Sequence, residues 1–502
     1  MADRYYSQYI EEKTPPKLKI YSIDIEVDAP EFPNPSQAKW PITCITVTDF
    51  SNKKSYTFGL RPFSKKIEYE YRFFHCKDEG KLLKAFISWW HKNIPDVITG
   101  WNINADYKVN LTGGFDLPYI INRCSVLFGE KNYLYKKLSP INIVNVHNRQ
   151  NEDTQIVDIA GISVIDYMAL YKWYTHHNLE SYSLETVCQH ELGEGKLEYE
   201  NDLGDLYKND WDKYVEYNIK DTQLILQLEE KLKYLKLAQS LSLLCKCQMK
   251  MYSSTTNLVE GLLLTRFRQN KQCAPYFAGG NQQKYKAAYV KEPIPNKYNW
   301  LFSLDISSSY PHSIIVCNMS PETVYGKITD MSEQDIMKHA INKDFPRMKI
   351  IKDGEIKQLY EKEVKIFNNA LKKRIICVTP NGVVFYNNPK GVYANMERDV
   401  YLKRKQVKKE MNKKYKEYEK TKDEKTKFEA ESLYAYQYAL KIVINGAYGA
   451  LAVPYSRYFQ PWIAEAITYT SRWSLMQGEK YVNELLNEPN DELESILLEI
   501  SK

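Results

Sequence analysis

No Cys-x-x-Cys pair occurs in the 502 residues, and the nine cysteines are scattered without a zinc-like spacing. That excludes a zinc-built or disulfide-stapled scaffold, and the thiols read as reduced core or surface groups of a cytosolic protein. No apolar run approaches the roughly 20 residues that cross a bilayer. The opening stretch, Met1 to Lys19, is polar where a secretory signal is apolar. A soluble cytoplasmic protein with no membrane partner is expected. Charge of one sign is also scarce overall, since 69 Lys and Arg against 63 Asp and Glu leave a net +6. The distribution, however, is uneven. Between Arg398 and Lys427 thirteen basic residues meet six acidic ones, a local +7, whereas Glu484 to Lys502 carries six acids and one lysine, a local −5. So dense a basic stretch suits phosphate-rich partners, although a solvated helix face is the ordinary explanation. With 43% hydrophobic residues the chain can bury ordinary cores, and its length suits about three domains.

Lys19 to Val27 alternates as a strand, so Asp24 and Glu26, two apart, project from one face. Adjacent carboxylates with nothing basic beside them repel unless a cation lies between them. Two acids on a solvent-facing strand are the plain alternative. Strand-like Ile42 to Asp49 and Ser55 to Leu60 follow, then a helical run from Gly80 to His91. In Gly114-Phe115-Asp116-Leu117-Pro118-Tyr119 the proline and aromatics mark a turn that opens a helix, with Asp116 at the junction. Helical periodicity from Trp211 to Leu228 puts Tyr217 and Asp221, four apart, on one side. Asp24, Glu26, Asp116 and Asp221 form the carboxylate set that two Mg²⁺ ions about 4 Å apart require, one activating water and one steadying the leaving oxygen of a phosphodiester. The Tyr217 hydroxyl can orient that water. Between Ile141 and Ser163 two alternating segments flank the polar turn Asn148 to Asp153, which predicts a hairpin.

A second candidate site opens at Asp305. Trp300 to Leu304 reads as a short buried strand that ends on this carboxylate, and Ser307, Ser308, Ser309, Tyr310 and Pro311 then stop it. A carboxylate so placed can hold a divalent cation, and the amides of the turn can form a nest for polyphosphate oxygens. A turn-capping aspartate is the plain alternative. Further on, Glu229 to Phe267 is helical in pattern, and Gly279-Gly280 marks a loop. Glu397 to Lys420 and Lys425 to Leu451 read as two helices joined by the polar turn Thr421 to Glu424. Arg404 and Lys408 share a face of the first; Lys441, Asn445 and Tyr448 share a face of the second. Folded back on each other, the helices bring three cations together, enough to neutralise much of a triphosphate's charge, with arginine gripping two oxygens at once.

Asp305 to Pro311 resembles motif A of B-family DNA polymerases, written D-x-x-S-L-Y-P, with Ser309 in the place of leucine. Lys441 to Gly449 resembles motif B, K-x-x-x-N-S-x-Y-G, with Gly446 in the place of serine. Asp24-Ile25-Glu26, Phe115 to Tyr119 and Tyr217 to Asp221 resemble the three exonuclease motifs of proofreading domains. Val27 to Pro33, and Tyr182-Ser183-Leu184 leading to Gly195-Lys196-Leu197, are similar to the replicative polymerases of T-even-type bacteriophages. The resemblance implies a multidomain chain, α/β and α+β, in which an RNase H-like 3′→5′ exonuclease domain precedes a partial B-family palm and helical-hairpin fingers. The implied domains are an N-terminal remnant (1–22), the exonuclease (23–228), a connector or residual N-terminal-domain segment (229–295), the first part of the palm with motif A (296–395), the fingers with motif B (396–448) and an incomplete helical palm region (449–502).

Roles follow from the same resemblance. Asp24, Glu26, Asp116, Asp221 and Asp305 are the implied metal ligands, and Lys196 the residue near the scissile phosphate. Ser308 and Ser309 belong to the turn that holds the triphosphate; Tyr310 packs under the sugar, where its ring excludes a 2′-hydroxyl; Tyr448 stacks near the nascent base pair. The implied cofactor is Mg²⁺, two ions per active site, with Mn²⁺ as the alternative. The implied ligands are primer-template DNA, single-stranded DNA and dNTPs, in the cytoplasm of an infected host if a phage encodes the chain. The hairpin between Ile141 and Ser163 would help transfer the primer strand between the two sites.

Besides Ser309 and Gly446, two larger features depart from the family pattern. Ile103 to Gly113 separate Trp101-Asn102 from Phe115-Asp116, which family members run almost together. No Asp-Thr-Asp follows Asp305 either, and one polymerase carboxylate cannot position two ions for in-line transfer. A complete exonuclease site and part of a polymerase site are therefore expected. A second polypeptide carrying motif C and the thumb would complete it, docking on an exposed apolar surface around Ile463 to Leu486. A free-standing 3′→5′ exonuclease and a non-catalytic nucleic-acid-binding protein are the competing expectations.

Overall fold

A computed structural model describes residues 16–487 except 107, 110, 112, 130–131, 149–153, 176–177, 198–202, 275–288, 293 and 298–304, with backbone alone at 485–487. The expected strand from Trp300 to Leu304 and the loop at Gly279-Gly280 lie outside the described residues. The chain divides into two compact units, residues 1–243 with 248–253 and residues 244–247 with 254–502.

The first unit contains β1 (Ile20–Val27), β2 (Ile42–Asp49), β3 (Lys54–Gly59), β4 (Tyr71–His75), α1 (Glu79–Lys92), β5 (Val97–Gly100), α2 (Asp116–Phe128), β6 (Val144–Asn148), β7 (Gln155–Ile159), β8 (Ser163–Asp166), α3 (Tyr167–Tyr174), α4 (Leu184–Leu192), α5 (Leu203–Asn209) and α6 (Trp211–Leu232). The main sheet runs β4-β3-β2-β1-β5-β8. Its β1-β2 and β2-β3 pairs are antiparallel, and its β3-β4, β1-β5 and β5-β8 pairs parallel. Alternation along β1 explains what each face does. Tyr21, Ile23 and Ile25 enter a core with Phe86 and Trp90 of α1 and Tyr119 and Ile120 of α2. Ser22, Asp24 and Glu26 point the other way. That polar face is stitched to α6, where Ser22 Oγ donates to the Thr222 carbonyl (2.9 Å), and Thr48 Oγ1 meets Thr222 Oγ1 (2.7 Å). The expected hairpin is β6-β7, antiparallel, its tip at 149–153 outside the described residues.

Helix α7 (Tyr234–Cys245) ends across the division between the units. The second unit contains α8 (Thr255–Gln269), α9 (Ser309–Val316), β9 (Val324–Ile328), α10 (Glu333–Asn342), β10 (Met348–Lys352), β11 (Glu355–Leu359), α11 (Glu361–Lys372), β12 (Ile376–Val378), β13 (Val383–Tyr386), α12 (Val392–Thr421), α13 (Glu424–Ala452) and α14 (Pro461–Asn487). Its antiparallel sheet runs β11-β10-β9-β13-β12. The stretch expected to be helical from Glu229 to Phe267 is helical in several pieces, with Lys233 and Lys246 in left-handed backbone at two of the breaks. The two long helices form as expected. Lys422 closes α12 in the left-handed region, and Asp423 caps α13 through Thr426 N (2.8 Å) and Oγ1 (2.7 Å).

One expectation is corrected here. Ile463, Ala464, Ala466 and Ile467 present no open apolar surface; they are fully buried, in one core with Ile314 of α9 and Leu440, Ile444 and Ala447 of α13. The chain's own helices already cover that part of α14.

Candidate active site

In the first unit three elements deliver the acids. Strand β1 carries Asp24 and Glu26, the first turn of α2 carries Asp116, and α6 carries Tyr217 and Asp221. Strand β5 pairs with β1 only from Ile20 to Ser22, so on that side the Ile25 amide has no strand partner. Asp116 Oδ1 accepts that N–H (2.9 Å), which fixes the start of α2 against the middle of β1. From α6, Asn218 Nδ2 donates to Asp24 Oδ2 at 2.5 Å. Lys196 Nζ donates to Asp221 Oδ2 (2.5 Å) and to the Tyr217 hydroxyl (2.8 Å). Its own backbone N–H is held by Glu185 Oε2 at 2.6 Å.

Burial and crowding set the charge state of this cluster. Burial, then the charge of Asp221, pushes the Asp24 carboxyl up to about 8, against the pull of Lys196 and Asn218. Glu26 is raised by burial, then by Asp24 and Asp221. Asp116 is raised by burial and Asp24, with the Ile25 amide opposing. Burial raises Asp221 as well, and Lys196 holds it back. Burial alone would lower Lys196, yet Asp221, Tyr217 and Asp24 outweigh it and the ammonium is strengthened. Tyr217 is raised by burial and by Asp221. One lysine is thus too little positive charge for four acids.

Among the described residues no three acid, histidine or cysteine side chains are gathered to hold a metal ion. The donor set nonetheless fits divalent cations, since Asp221 Oδ1 is buried without a hydrogen-bond partner and hard oxygen ligands suit Mg²⁺.

The interposed Ile103 to Gly113 leaves Asp116 against β1. Asn102, in left-handed backbone, accepts the Gly114 amide on its side chain (2.9 Å) and the Phe115 amide on its carbonyl (2.8 Å), so the loop leaves and returns at one point. Gly114 has φ +100, and a Cβ there would stand 2.2 Å from the Ala105 amide nitrogen. Asn104 anchors the loop by exchanging bonds with both backbone groups of Val157 (2.9 and 3.0 Å). Asn218 and Glu185 were not anticipated from the sequence. The i, i+3 spacing of Asn218 and Asp221 was the available signal for the first; nothing local marks the second.

In the second unit Asp305 is exposed, and Ser308, in left-handed backbone, precedes α9. Ser309 Oγ is paired with Ser471 Oγ of α14 (2.7 Å), a polar contact that a leucine could not make. The rings of Tyr310 and Tyr448 stand 5.0 Å apart, so the expected sugar-side and base-side tyrosines meet. Gly446 also has a local reason: a Cβ there would be 3.2 Å from Thr255 Cβ of α8, tighter than ordinary contact. Arg404 is half-buried with Nε lacking any hydrogen-bond partner, while Lys408, Lys441 and Asn445 are exposed. Among the described residues no hydrogen bond or ion pair joins these four to Asp305 or to one another. No helix among them is long and apolar enough to cross a membrane.

Residues 2–187 match the family described as DNA polymerase family B, exonuclease domain, and residues 245–498 match DNA polymerase family B. The chain is similar to the DNA-directed DNA polymerase of Escherichia phage RB69, 28% identical over 94% of this chain and 56% of that protein. It is similar to the DNA-directed DNA polymerase of Enterobacteria phage T4, 28% identical over 65% of this chain and 38% of that one. With the DNA polymerase of Pyrococcus glycovorans it shares 24% identity over 77% of this chain and 48% of the other. The chain spans about half the length of the curated relatives it matches.

Proposed function

The chain belongs to DNA polymerase family B, and on that footing we propose that its buried acid cluster is a 3′→5′ proofreading exonuclease and that its second unit contributes the motif A and motif B side of a DNA-polymerising site. The first assignment rests on one observation above the others: four carboxylates brought under cover from β1, α2 and α6, with one lysine among them and one buried oxygen of Asp221 unpartnered. Mg²⁺, two ions per site and replaceable by Mn²⁺, would be held by Asp24, Glu26, Asp116 and Asp221 and would supply an activated water and a stabilised leaving oxygen. The protein's own groups do the positioning. Asn218 holds Asp24, the Ile25 amide holds Asp116, and Lys196 keeps Asp221 toward its ionised form. Tyr217 presents a hydroxyl that burial and Asp221 keep protonated, able to orient water beside a single-stranded 3′ end.

In the second unit Asp305 acts as a metal ligand, Tyr310 and Tyr448 flank the incoming dNTP, and Arg404, Lys408, Lys441 and Asn445 receive its triphosphate beside the turn of Ser308 and Ser309. The unpartnered, buried Arg404 Nε supports an anion there. Nucleotide addition to a primer-template needs a further carboxylate, which in this reading a second polypeptide with motif C and thumb supplies. Burial of Ile463 to Ile467 favours the other reading, a free-standing exonuclease, because it removes much of the apolar face such a partner would use.

A labelled primer-template incubated with Mg²⁺ and dNTPs separates these readings. Shortening that disappears in Asp116→Ala, with no extension by the chain alone, is the expected result. Extension by the chain alone would remove the need for a second polypeptide. An absence of Mg²⁺-dependent shortening would remove the exonuclease.

A further inference from the structure

The acid and base residues of α12 are sorted by face, and the sorting leaves a ridge that the triphosphate-binding reading does not use. Successive residues of a helix are rotated by about 100°. Counting from Lys405, every residue to Lys420 that falls within one sector of about 80° is a lysine: Lys405, Lys409, Lys413, Lys416 and Lys420. All five are exposed, and none has an ion-pair partner among the described residues. The salt bridges of the helical hairpin between Lys403 and Lys427 are made elsewhere, by Lys414 to Glu417 and Glu429 and by Lys427 to Glu424. Val407 and Met411, the buried seam against α13, lie on the opposite side of the helix. Arg404 and Lys408 lie on the flank between that seam and the ridge, so the ridge and the expected triphosphate face are different surfaces.

We propose that this ridge binds the phosphodiester backbone of single-stranded DNA. The proposal extends the reading of the chain as a DNA-processing enzyme and adds a surface outside both candidate sites. Five lysines along about 22 Å of helix meet a strand that carries one phosphate per roughly 3.4 Å when stacked, so each cation has a phosphate to pair with. The ridge is a single lysine wide. Glu410 and Glu417 border it on one side and Glu419 on the other, which would repel the second strand of a duplex. A protein partner fits poorly, because the sector contains no apolar or aromatic side chain to form the core of an interface, and lysine is depleted in such cores.

The test is the salt dependence of single-stranded DNA binding by the full chain, read by fluorescence anisotropy with Mg²⁺ omitted. The variant is Lys409→Gln/Lys413→Gln/Lys416→Gln, and the charge-matched control is Lys403→Gln/Lys414→Gln/Lys427→Gln, off the ridge. Removing three phosphate contacts should lower the slope of log K against log salt by about 2, at ~0.7 per contact on single strands, and weaken binding at every salt concentration. The control should keep most of the parent slope. Equal losses in the two variants, or an unchanged slope in the first, would overturn the ridge, as would a loss confined to duplex DNA or to an acidic peptide. Mg²⁺-dependent digestion measured on the same variants keeps the two proposals apart: the ridge can fail while the nuclease survives, and the reverse.

Discussion

In the first unit Asp24, Glu26, Asp116 and Asp221 share buried ground with Lys196 and several placed donors, whereas in the second Asp305 stands exposed and the deeply buried acid, Glu397, has no hydrogen-bond partner for either oxygen. Burial therefore does not by itself mark a site. What distinguishes the cluster is that its acids are desolvated together and that Asp24, Asp116 and Asp221 are also held: the strand that carries Asp24 and Glu26 faces a helix that supplies Asn218, Tyr217 and Asp221. Glu397 is desolvated, and nothing among the described residues holds it. Asp305 is exposed.

The sharpest way to break that comparison is Asp116→Ala. Loss of one of the four clustered carboxylates should slow Mg²⁺-dependent release of nucleotides from a labelled single strand by a factor of about 10³, ~4 kcal/mol of barrier. Nucleotide binding by the second unit should not change. Digestion that persists in this variant would mean the cluster is not the nuclease.

A buried acid outside the site gives the next contrast. Glu229 on α6 accepts from the Tyr167 hydroxyl (3.0 Å) and from the Leu235 (2.9 Å) and Lys236 (3.2 Å) amides, yet burial pushes its carboxyl up to about 7. Because the folded value lies above the unfolded one, the folded state holds a proton that the unfolded chain has released. The resulting stabilisation is fully present below pH ~4.5 and lost as pH rises through about 7, a span of ~3 kcal/mol. Comparing urea unfolding of the parent and Glu229→Gln from pH 4.5 to 8 should show a steeper decline in the parent. Parallel profiles would mean that Glu229 is already ionised in the fold.

Much of this was legible in the sequence, for reasons of range. Strand β1, the start of α2, and helices α6, α12 and α13 follow from patterns within a few residues, and so do the acids they carry. What could not be read is what joins distant segments. Asn218 reaches Asp24 across 194 positions, and Ser309 finds Ser471 across 162. Closure of the 103–113 loop by Asn102 on Gly114 depends on left-handed backbone at Asn102 that no motif announces. The exposed apolar surface expected around Ile463 to Leu486 was corrected at Ile463, Ala464, Ala466 and Ile467 for the same reason, since an apolar helix face shows that a cover exists without showing which segment provides it.

Lys196 tests how far the held state of the acids depends on one cation. Lys196→Met should reduce nuclease turnover about a hundredfold, ~3 kcal/mol. It should also move the ascending limb of the pH–rate profile to higher pH, because the charge that favours ionised Asp221 is gone and the acid must lose its proton unaided. A slower enzyme with an unshifted limb would assign Lys196 to the phosphate alone.

The smallest expected effect comes from the acid that has no hydrogen-bond partner among the described residues. Glu397 is fully buried, neither oxygen is hydrogen-bonded, and burial raises its carboxyl well above the ordinary range. Methionine has a similar length and no polar group to desolvate, so Glu397→Met should stabilise the second unit by ~1–2 kcal/mol and leave exonuclease activity untouched. The same logic applied to Asp24 or Glu26 would exchange activity for stability, as expected where strain is kept for chemistry. Thermal unfolding of the full chain with a probe in the second unit decides it. A rise in midpoint identifies Glu397 as an uncompensated burial, whereas a fall means that the carboxyl is held in solution by a partner, as Asp24, Asp116 and Asp221 are held in the first unit.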